Sequence, residues 1–268
     1  FLPLMCWRVK LQTLPVPMLS TTSSRGLRVR VAPPIDGTLQ SSITSADLFI
    51  LNPNGVMIGA GANINIDGGL YLTSANSLTF ADGSQQLVSD TGASGFTAAA
   101  SSEFGFGMTP ADISFDGVSI TTPQTSPDVY VDAPFDSLVV AGGDLTFNNS
   151  SVLLACKDIE LVSLNGAASV LVGGNNATLV GETDLGNIVI SNDVEPTMVG
   201  NLQTSGDPAG KITVVGNRLS MSKAFVFSDS LGDNVGDGIQ IALSDSLVLT
   251  DGSRITTDTL AYPDSNSN

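Results

Sequence analysis

The feature of this sequence that most constrains its fold is a repeat of 27 to 29 residues near the carboxyl end. Two copies align at matching apolar positions: Ile212 with Ile239, Val214 with Ile241, Leu219 with Leu247, and Met221 with Leu249. The match continues from residues 228–231 to residues 257–260, and a weaker copy begins at residues 187–190, about 24 residues before the Ile212 copy. Repeats of roughly 20 to 50 residues mark chains whose similar units stack on one another. The sequence therefore predicts a stacked architecture.

Short apolar alternations between turns indicate strands, not helices. Examples are residues 63–66, 144–147, 187–190, 211–214 and 238–241. Asp-Gly or Asn-Gly pairs, which favour tight turns, begin at residues 36, 67, 82, 116, 165, 237 and 251. We predict an all-β fold, a single-stranded parallel β-helix in which alternate aliphatic residues point into a stacked core. An antiparallel β-sandwich shares the alternation and the turns, and it stays the alternative.

The charge balance and the residue types that are missing exclude several kinds of site. The chain has 26 acidic and 10 basic residues and a net charge of −16, whereas nucleic acid and anionic lipid require clustered cations. Because there is no histidine, Ser-His-Asp and Cys-His nucleophiles and the commonest zinc ligands are excluded. No run approaches the roughly 18 apolar residues that a membrane span needs. We expect no cofactor and no metal.

The two cysteines, Cys6 and Cys156, are too few for a disulfide framework and lack metal-ligand spacing. Cys156 lies beside an apolar run, so we expect a free and buried thiol there.

The first 35 residues differ from the rest of the chain. They hold five of the ten basic residues and no acidic residue, and all 26 acidic residues follow from Asp36 onward. Pro3, Pro15 and Pro17 interrupt the apolar residues, which does not fit the continuous apolar region of a secretory signal. We therefore predict that residues 1–35 are an atypical basic segment, misframed or disordered.

Three motifs in order between residues 35 and 83 carry a family resemblance. They read Ile-Asp-Gly-Thr-Leu at 35–39, Ala-Asp-Leu-Phe-Ile-Leu-Asn-Pro-Asn-Gly-Val-Met-Ile-Gly at 46–59, and Ser-Ala-Asn-Ser-Leu-Thr-Phe-Ala-Asp-Gly at 74–83. Together they resemble the haemagglutination-activity domain of two-partner secretion exoproteins, the filamentous haemagglutinin family. Residues 104–107 with Pro110 resemble the end of that domain, and residues 141–146 and 251–259 resemble the repeats of long cyanobacterial-type members.

The resemblance implies a right-handed β-helix that a dedicated outer-membrane β-barrel transporter exports from the periplasm of a Gram-negative-type bacterium. The protein would then lie outside the cell or on its surface. On this view residues 36–115 are a partial secretion domain and residues 116–268 a truncated repeat region, so we expect a natural product that is longer at both ends. Members act mostly as adhesins, so we expect host-cell or biofilm glycans or proteins as partners, and no enzymatic activity.

The resemblance also implies a role in secretion for Asn52, Pro53 and Asn54, with Gly55 completing the motif. From the residues alone, the apolar run 48–51 is typical of a strand, Pro53 fixes φ near −65° and ends it, and Gly55 supplies a permissive backbone. Asn52 and Asn54 can cap free backbone groups in the turn or stack along the helix axis. A role in turn formation and folding and a direct contact with the transporter are both open.

A polysaccharide-active enzyme of the lyase type is the alternative function, because parallel β-helices also house such enzymes. Their sites combine carboxylates, often with calcium, and a Lys or Arg that acts on the sugar. The candidates are Asp229, Asp233 and Asp237 with Lys223 or Arg218. Acidic residues in such a loop are more often only solvated, and five basic residues after residue 35 leave few groups to bind a polyanion. We therefore favour the adhesin.

Overall fold

The structure is a computed structural model that describes residues 10–11, 34–40, 47–66, 68–88, 101–121, 124–126, 129–130, 136–173, 176–194, 201–232 and 234–259. These residues form strands and turns, which confirms the all-β prediction. In chain order the described strands are β1 (Lys10–Leu11), β2 (Thr38–Gln40), β3 (Leu48–Leu51), β4 (Val56–Ile58), β5 (Asn63–Asn65), β6 (Gly69–Thr73), β7 (Ser77–Phe80), β8 (Gln85–Leu87), β9 (Ser101–Phe106), β10 (Ile113–Asp116), β11 (Ser119–Thr121), β12 (Gln124–Ser126), β13 (Val129–Tyr130), β14 (Ser137–Gly142), β15 (Leu145–Asn148), β16 (Ser151–Leu153), β17 (Asp158–Ser163), β18 (Ala168–Gly173), β19 (Asn176–Val180), β20 (Asn187–Ser191), β21 (Leu202–Gln203), β22 (Ile212–Ser222), β23 (Phe225–Phe227), β24 (Ile239–Thr250) and β25 (Arg254–Thr256).

The largest sheet has 11 strands, and its neighbours pair in parallel. Its first arm has the order β1-β3-β6-β14-β17, and its second arm has the order β4-β10-β15-β20. Both arms end on β22, whose residues 212–215 pair with β17 and whose residues 218–222 pair with β20. β24 pairs along both parts of β22, with Ile212 opposite Ile239 and Leu219 opposite Leu247. The sequence repeat is thus confirmed as a pair of adjacent strands.

Another sheet of parallel strands has the order β11-β16-β21-β23-β25. We call it the third sheet, because along the chain each of its strands comes after strands of the two arms. Strands β2 and β5 form a separate parallel pair. The chain visits the first arm, the second arm and the third sheet in a fixed order, as in β14, β15 and β16. We call one such pass a circuit. The β-sandwich alternative is wrong, because the strands of these sheets pair in parallel and a sandwich is antiparallel.

One continuous cluster of aliphatic and aromatic side chains joins both arms and the third sheet. Side chains of the same kind stand opposite one another on successive strands, and one such column is Leu48, Leu70, Leu138, Ile159, Ile212 and Ile239. In the second arm, Phe115 stacks on Phe147 with ring centroids 4.5 Å apart. Full burial of one such side chain contributes roughly 1.5–3 kcal/mol, so these columns are a main favourable contribution to folding.

Two segments leave the circuits and form an antiparallel sheet with the order β19-β18-β9-β7-β8, which we call the covering sheet. One of the two segments follows β6 in the chain and contains β7, β8 and β9. The other follows β17 and contains β18 and β19. A second apolar cluster lies between it and the outward side of the first arm, with Phe49, Tyr71 and Val139 from the arm and Leu78 and Phe104 from the covering sheet. Strands β3, β6 and β14 are consequently buried along their whole length.

The sequence predicts that alternate residues of each strand point into the core, but in the first arm the residues on the other side of β3, β6 and β14 are buried as well. The run Leu48–Leu51 has no alternation because both of its sides are buried, as in a sheet that is covered on both faces.

Two further details also differ from expectation. Ile188 pairs with Leu219 of β22, not with Ile212. Both parts of β22 alternate aliphatic residues, so the pattern alone could not choose between them. Cys156 is free but exposed, because it lies in the turn between β16 and β17 with a φ of +59°.

Of residues 1–35, the structure describes Lys10, Leu11 and residues 34–35. Lys10 pairs in parallel with Leu48. The rest of the segment lies outside the described residues, so its proposed origin stays a prediction. The division at residue 115 also stays a prediction.

Candidate functional site

The predicted motif residues Asn52, Pro53, Asn54 and Gly55 form the turn that connects β3 of the first arm to β4 of the second arm. β3 ends at Leu51, since proline lacks the N–H that a central strand position needs. The Gly55 N–H donates to the Asn52 carbonyl oxygen at 2.9 Å. Asparagine in the first, proline in the second and glycine in the fourth position fit a type I turn.

The side chain of Asn52 closes this turn. Its Oδ1 accepts hydrogen bonds from the Asn54 backbone N–H at 3.1 Å and from Asn54 Nδ2 at 3.3 Å. A carboxamide that bonds the backbone two residues later stabilises a turn locally. Asn54 is exposed, whereas Asn52 and Pro53 are half-buried.

The turn also docks on neighbouring circuits. The Asn52 N–H donates to the Thr73 carbonyl oxygen at 2.9 Å, and the Val56 N–H donates to the Asp112 carbonyl oxygen at 3.2 Å. Gly55 has a φ of +96°, and a Cβ placed there would lie 2.5 Å from the Asp112 oxygen. Glycine is therefore required at position 55 by both the backbone conformation and the close approach.

A chain of side-chain hydrogen bonds continues from this turn along the corner between the two arms. We call it the corner ladder, and its members are Asp112, Asp144, Asn187, Asn217 and Ser244. Asp112 Oδ1 accepts from the Asp144 N–H at 2.9 Å, and Asp144 Oδ1 accepts from the Asn187 N–H at 2.7 Å. Asn187 Oδ1 then accepts from Asn217 Nδ2 at 3.2 Å, and Asn217 Oδ1 accepts from Ser244 Oγ at 2.9 Å. This ladder was not predicted from the sequence.

Aspartates elsewhere accept hydrogen bonds from neighbouring circuits in the same direction as in the corner ladder. In each pair the backbone N–H belongs to the later circuit and the carboxylate oxygen to the earlier one. These bonds run from Gly61 to Asp36 at 2.5 Å, from Gly69 to Asp47 at 2.8 Å, from Lys211 to Asp158 at 2.8 Å and from Asp258 to Asp229 at 2.9 Å. Many of the acidic residues thus have a structural use, since bonds to a charged acceptor are stronger than neutral ones.

An aromatic cluster lies on the outward side of β3, directly before the turn. The rings of Phe49 and Tyr71 stack with centroids 4.3 Å apart, and Phe104 of the covering sheet meets both rings edge-on. Burial, and after it the charge of Asp47, raise the pKa of Tyr71 to about 12. Burial also raises the pKa of Asp47, against the effect of its bond from Gly69. The strand that leads into the turn is therefore fixed on both sides.

The described acidic residues of the lyase alternative have different surroundings. Asp229 Oδ1 accepts from the Asp258 N–H and from the Thr256 hydroxyl at 3.3 Å, which is a bond between circuits. Asp237 is exposed, and Asp233 lies outside the described residues.

The two basic residues of that alternative also bind elsewhere. Arg218 donates to Ser246 Oγ at 2.9 Å and lies 3.5 Å from the Asp245 carboxylate, both of them exposed. Lys223 donates to the Asp193 carbonyl oxygen at 2.8 Å. Each cation thus has a partner outside the proposed catalytic set, and the structure gives the lyase alternative no support.

Within the described part of the chain, no group of three or more acidic or cysteine side chains is arranged to hold a metal ion. In the same part, no helix has the length and apolar character needed to cross a membrane.

The comparisons with known proteins identify the family. A family model described as "TPS secretion domain" matches residues 32–214, which is more than half of the chain. The chain belongs to the two-partner secretion (TPS) domain family. The match to the TPS secretion domain contains the 52–55 turn, the covering sheet and the first three members of the corner ladder. Among solved structures, the filamentous hemagglutinin secretion domain is similar at 14% identity and a TM-score of 0.37, over 85% of this chain and 71% of that one. A search of curated proteins found no match.

Proposed function

We propose that this chain is a two-partner secretion exoprotein whose described part folds as a right-handed single-stranded parallel β-helix. The fixed order of first arm, second arm and third sheet supports this, because it makes each circuit one coil of a three-sided solenoid. The stacked aliphatic columns support it as well. Crossover connections between parallel strands are right-handed in about 98% of cases, which favours the right hand.

In this proposal residues 36–115 correspond to the haemagglutination-activity domain, and residues 116–268 correspond to repeats of the cyanobacterial type. The partner is a dedicated outer-membrane β-barrel transporter that receives the chain from the periplasm of a Gram-negative-type bacterium. The folded protein then lies outside the cell or on its surface. The TPS secretion domain match at residues 32–214 is the observation that carries the export route, whereas the division at residue 115 rests on the sequence motifs.

The 52–55 turn is the site that we assign to secretion, acting through folding. It joins the two arms and contacts Thr73 and Asp112 of neighbouring circuits, so its geometry contributes to how those circuits stack. A chain that emerges without this turn would present strands in the wrong register, because slipping by one residue moves every side chain to the opposite face.

Secretion of Asn52 variants by a reconstituted transporter pair tests this role. Asn52→Ala removes the cap on Asn54, at a cost of about 1 kcal/mol, and we expect several-fold less exported protein. Asn52→Asp keeps an acceptor at the same place, so it should restore export. Asn65→Ala, an exposed asparagine on β5, is the matched control and should export normally.

The outcomes separate the two roles that the motif can have. Normal export of Asn52→Ala contradicts a role for the residue in secretion. Failure of both Asn52 variants, with Asn65→Ala normal, assigns the carboxamide to contact with the transporter instead of to the turn.

We further propose that the exported protein acts as an adhesin and not as an enzyme. The protein that is exported in the secretion experiment provides the material for the test. We expect binding to cells or to glycans with no turnover of polygalacturonate in the presence of calcium, and such turnover would contradict the proposal.

A further inference from the structure

Glu160 occupies a position in β17 where the preceding circuits carry apolar side chains. The register places it in a column with Phe49, Tyr71 and Val139 on the outward side of the first arm. Its side chain is 3% exposed, and it is the one carboxylate among the fully buried residues of the described chain. An ionisable group in an apolar cluster costs free energy unless it has a specific partner.

The partner of Glu160 belongs to the covering sheet. Its carboxyl group accepts a hydrogen bond from the backbone N–H of Ala177 in β19. β19 is the outermost strand at its end of the covering sheet and pairs with β18 alone in that sheet. It also packs on β17. Edge strands open at lower free energy than central ones, so the bond to Glu160 adds to the pairing with β18 in holding β19 in place.

Among the groups around Glu160, the Ala177 N–H does most to favour the ionised carboxyl group, through its hydrogen bond, but burial outweighs it. Lys211, just before β22, favours the ionised form, and Asp158 at the start of β17 opposes it. In addition to burial, the charge of Glu160 raises the pKa of Tyr71, which lies in the same column on β6. Thr213 stands opposite Glu160 on β22, and its hydroxyl is buried without a hydrogen-bond partner. Burial is the largest effect, and it raises the pKa of Glu160 from 4.5 to about 7.

We propose that Glu160 is a pH-sensitive latch that holds the edge strand β19 of the covering sheet against the first arm. With the carboxyl group neutral, docking buries no charge and β19 stays in place. With the carboxyl group ionised, the charge is better solvated when β19 is released. Release would uncover the outward side of β17 near Val162, which lies in the same apolar cluster. This proposal does not depend on the route of export.

The direction of the pH effect follows from proton binding. Between pH 4.5 and about 7 the docked state holds a proton that the released state has lost, so docking weakens as the pH rises through this interval. Below pH 4.5 both states are protonated, and above pH 7 both are ionised. The docked strand is therefore most stable in acid and reaches its lower limit above neutrality.

Hydrogen–deuterium exchange of the full chain at pH 5 and pH 8, corrected for intrinsic exchange rates, tests the latch. Protection of β19 should fall by at least about tenfold from pH 5 to pH 8, since one unit of pKa shift corresponds to a tenfold change in the equilibrium. Protection of β8, the opposite edge of the same sheet, should not change. In Glu160→Gln, which keeps an acceptor for Ala177 but cannot ionise, β19 should stay protected at both pH values.

Glu103→Gln is the matched control, because Glu103 lies on the same sheet and accepts from the Ser169 hydroxyl at 2.5 Å. It should keep the wild-type response to pH. An unchanged β19 in the wild type, or an equal loss of protection in Glu160→Gln, overturns the proposal. Carbon-13 titration of the Glu160 carboxyl gives a second measurement, for which a midpoint near 7 supports the latch and a midpoint near 4.5 refutes it.

Discussion

Strands β3 and β24 both contribute to the same large sheet, yet their surroundings differ. β3 is buried along its whole length, because the columns pack on one side and the covering sheet packs on the other. In β24, Leu247 and Leu249 of the columns are 45% and 42% exposed, and the outward residues are exposed as well. Equivalent strands can therefore follow two different sequence patterns, a continuous apolar run and an alternation, depending on what covers them.

The largest difference between these regions should appear at the aromatic cluster. Phe49→Ala removes a fully buried ring that stacks on Tyr71, and we expect a loss of about 3–5 kcal/mol in the free energy of unfolding. Val248→Ala on β24, where the side chain is 37% exposed, should cost less than about 1 kcal/mol. Urea unfolding of both variants measures the contrast. Equal losses would mean that the covering sheet adds little to the first arm.

The sequence predicted the columns more readily than the covering sheet, for a physical reason. Ile212 and Ile239 stand opposite each other on adjacent strands of the same type, so one repeat length was enough to align them. In the covering sheet, Ser169 pairs with Gly105, which lies 64 positions earlier in the chain, and neither segment repeats the other. The continuous run 48–51 was the available signal, because a strand buried on both faces loses its alternation.

The candidate site also combines residues that are consecutive in the sequence with residues that are far apart in it. The chemistry of Asn52, Pro53 and Gly55 is contained in four consecutive residues, so a turn could be expected there. The corner ladder could not, because Asp112 and Asp144 are 32 residues apart and Asp144 and Asn187 are 43 apart. Insertions of unequal length between circuits break the spacing that would otherwise reveal the ladder.

An intermediate effect is expected at glycines with positive φ, where turns in the two sheets can be compared. Gly55→Ala combines the left-handed backbone with a Cβ 2.5 Å from the Asp112 carbonyl oxygen, so we expect a loss of about 3 kcal/mol. Gly83→Ala in the covering sheet has a φ of +81° but open space around the added atom, and it should lose about 1 kcal/mol. Thermal unfolding distinguishes them, and similar melting temperatures would show that the contact at Gly55 relaxes freely.

The smallest effect is expected in the corner ladder, which extends from the covered region towards β24. Asp144→Ala leaves the Asn187 N–H without its acceptor, and we expect a loss of about 1 kcal/mol because the site is exposed and water can replace the bond. Asp144→Asn keeps an oxygen at the same place and should lose about half as much. Asp237→Ala, an exposed aspartate outside the ladder, is the control and should be neutral. Denaturant unfolding at low and high salt checks the order, because the charge-assisted part of the Asp144 bond weakens with salt. If Asp144→Ala is as neutral as Asp237→Ala, the bonds between circuits are a consequence of the stacking of the columns and not a cause of it.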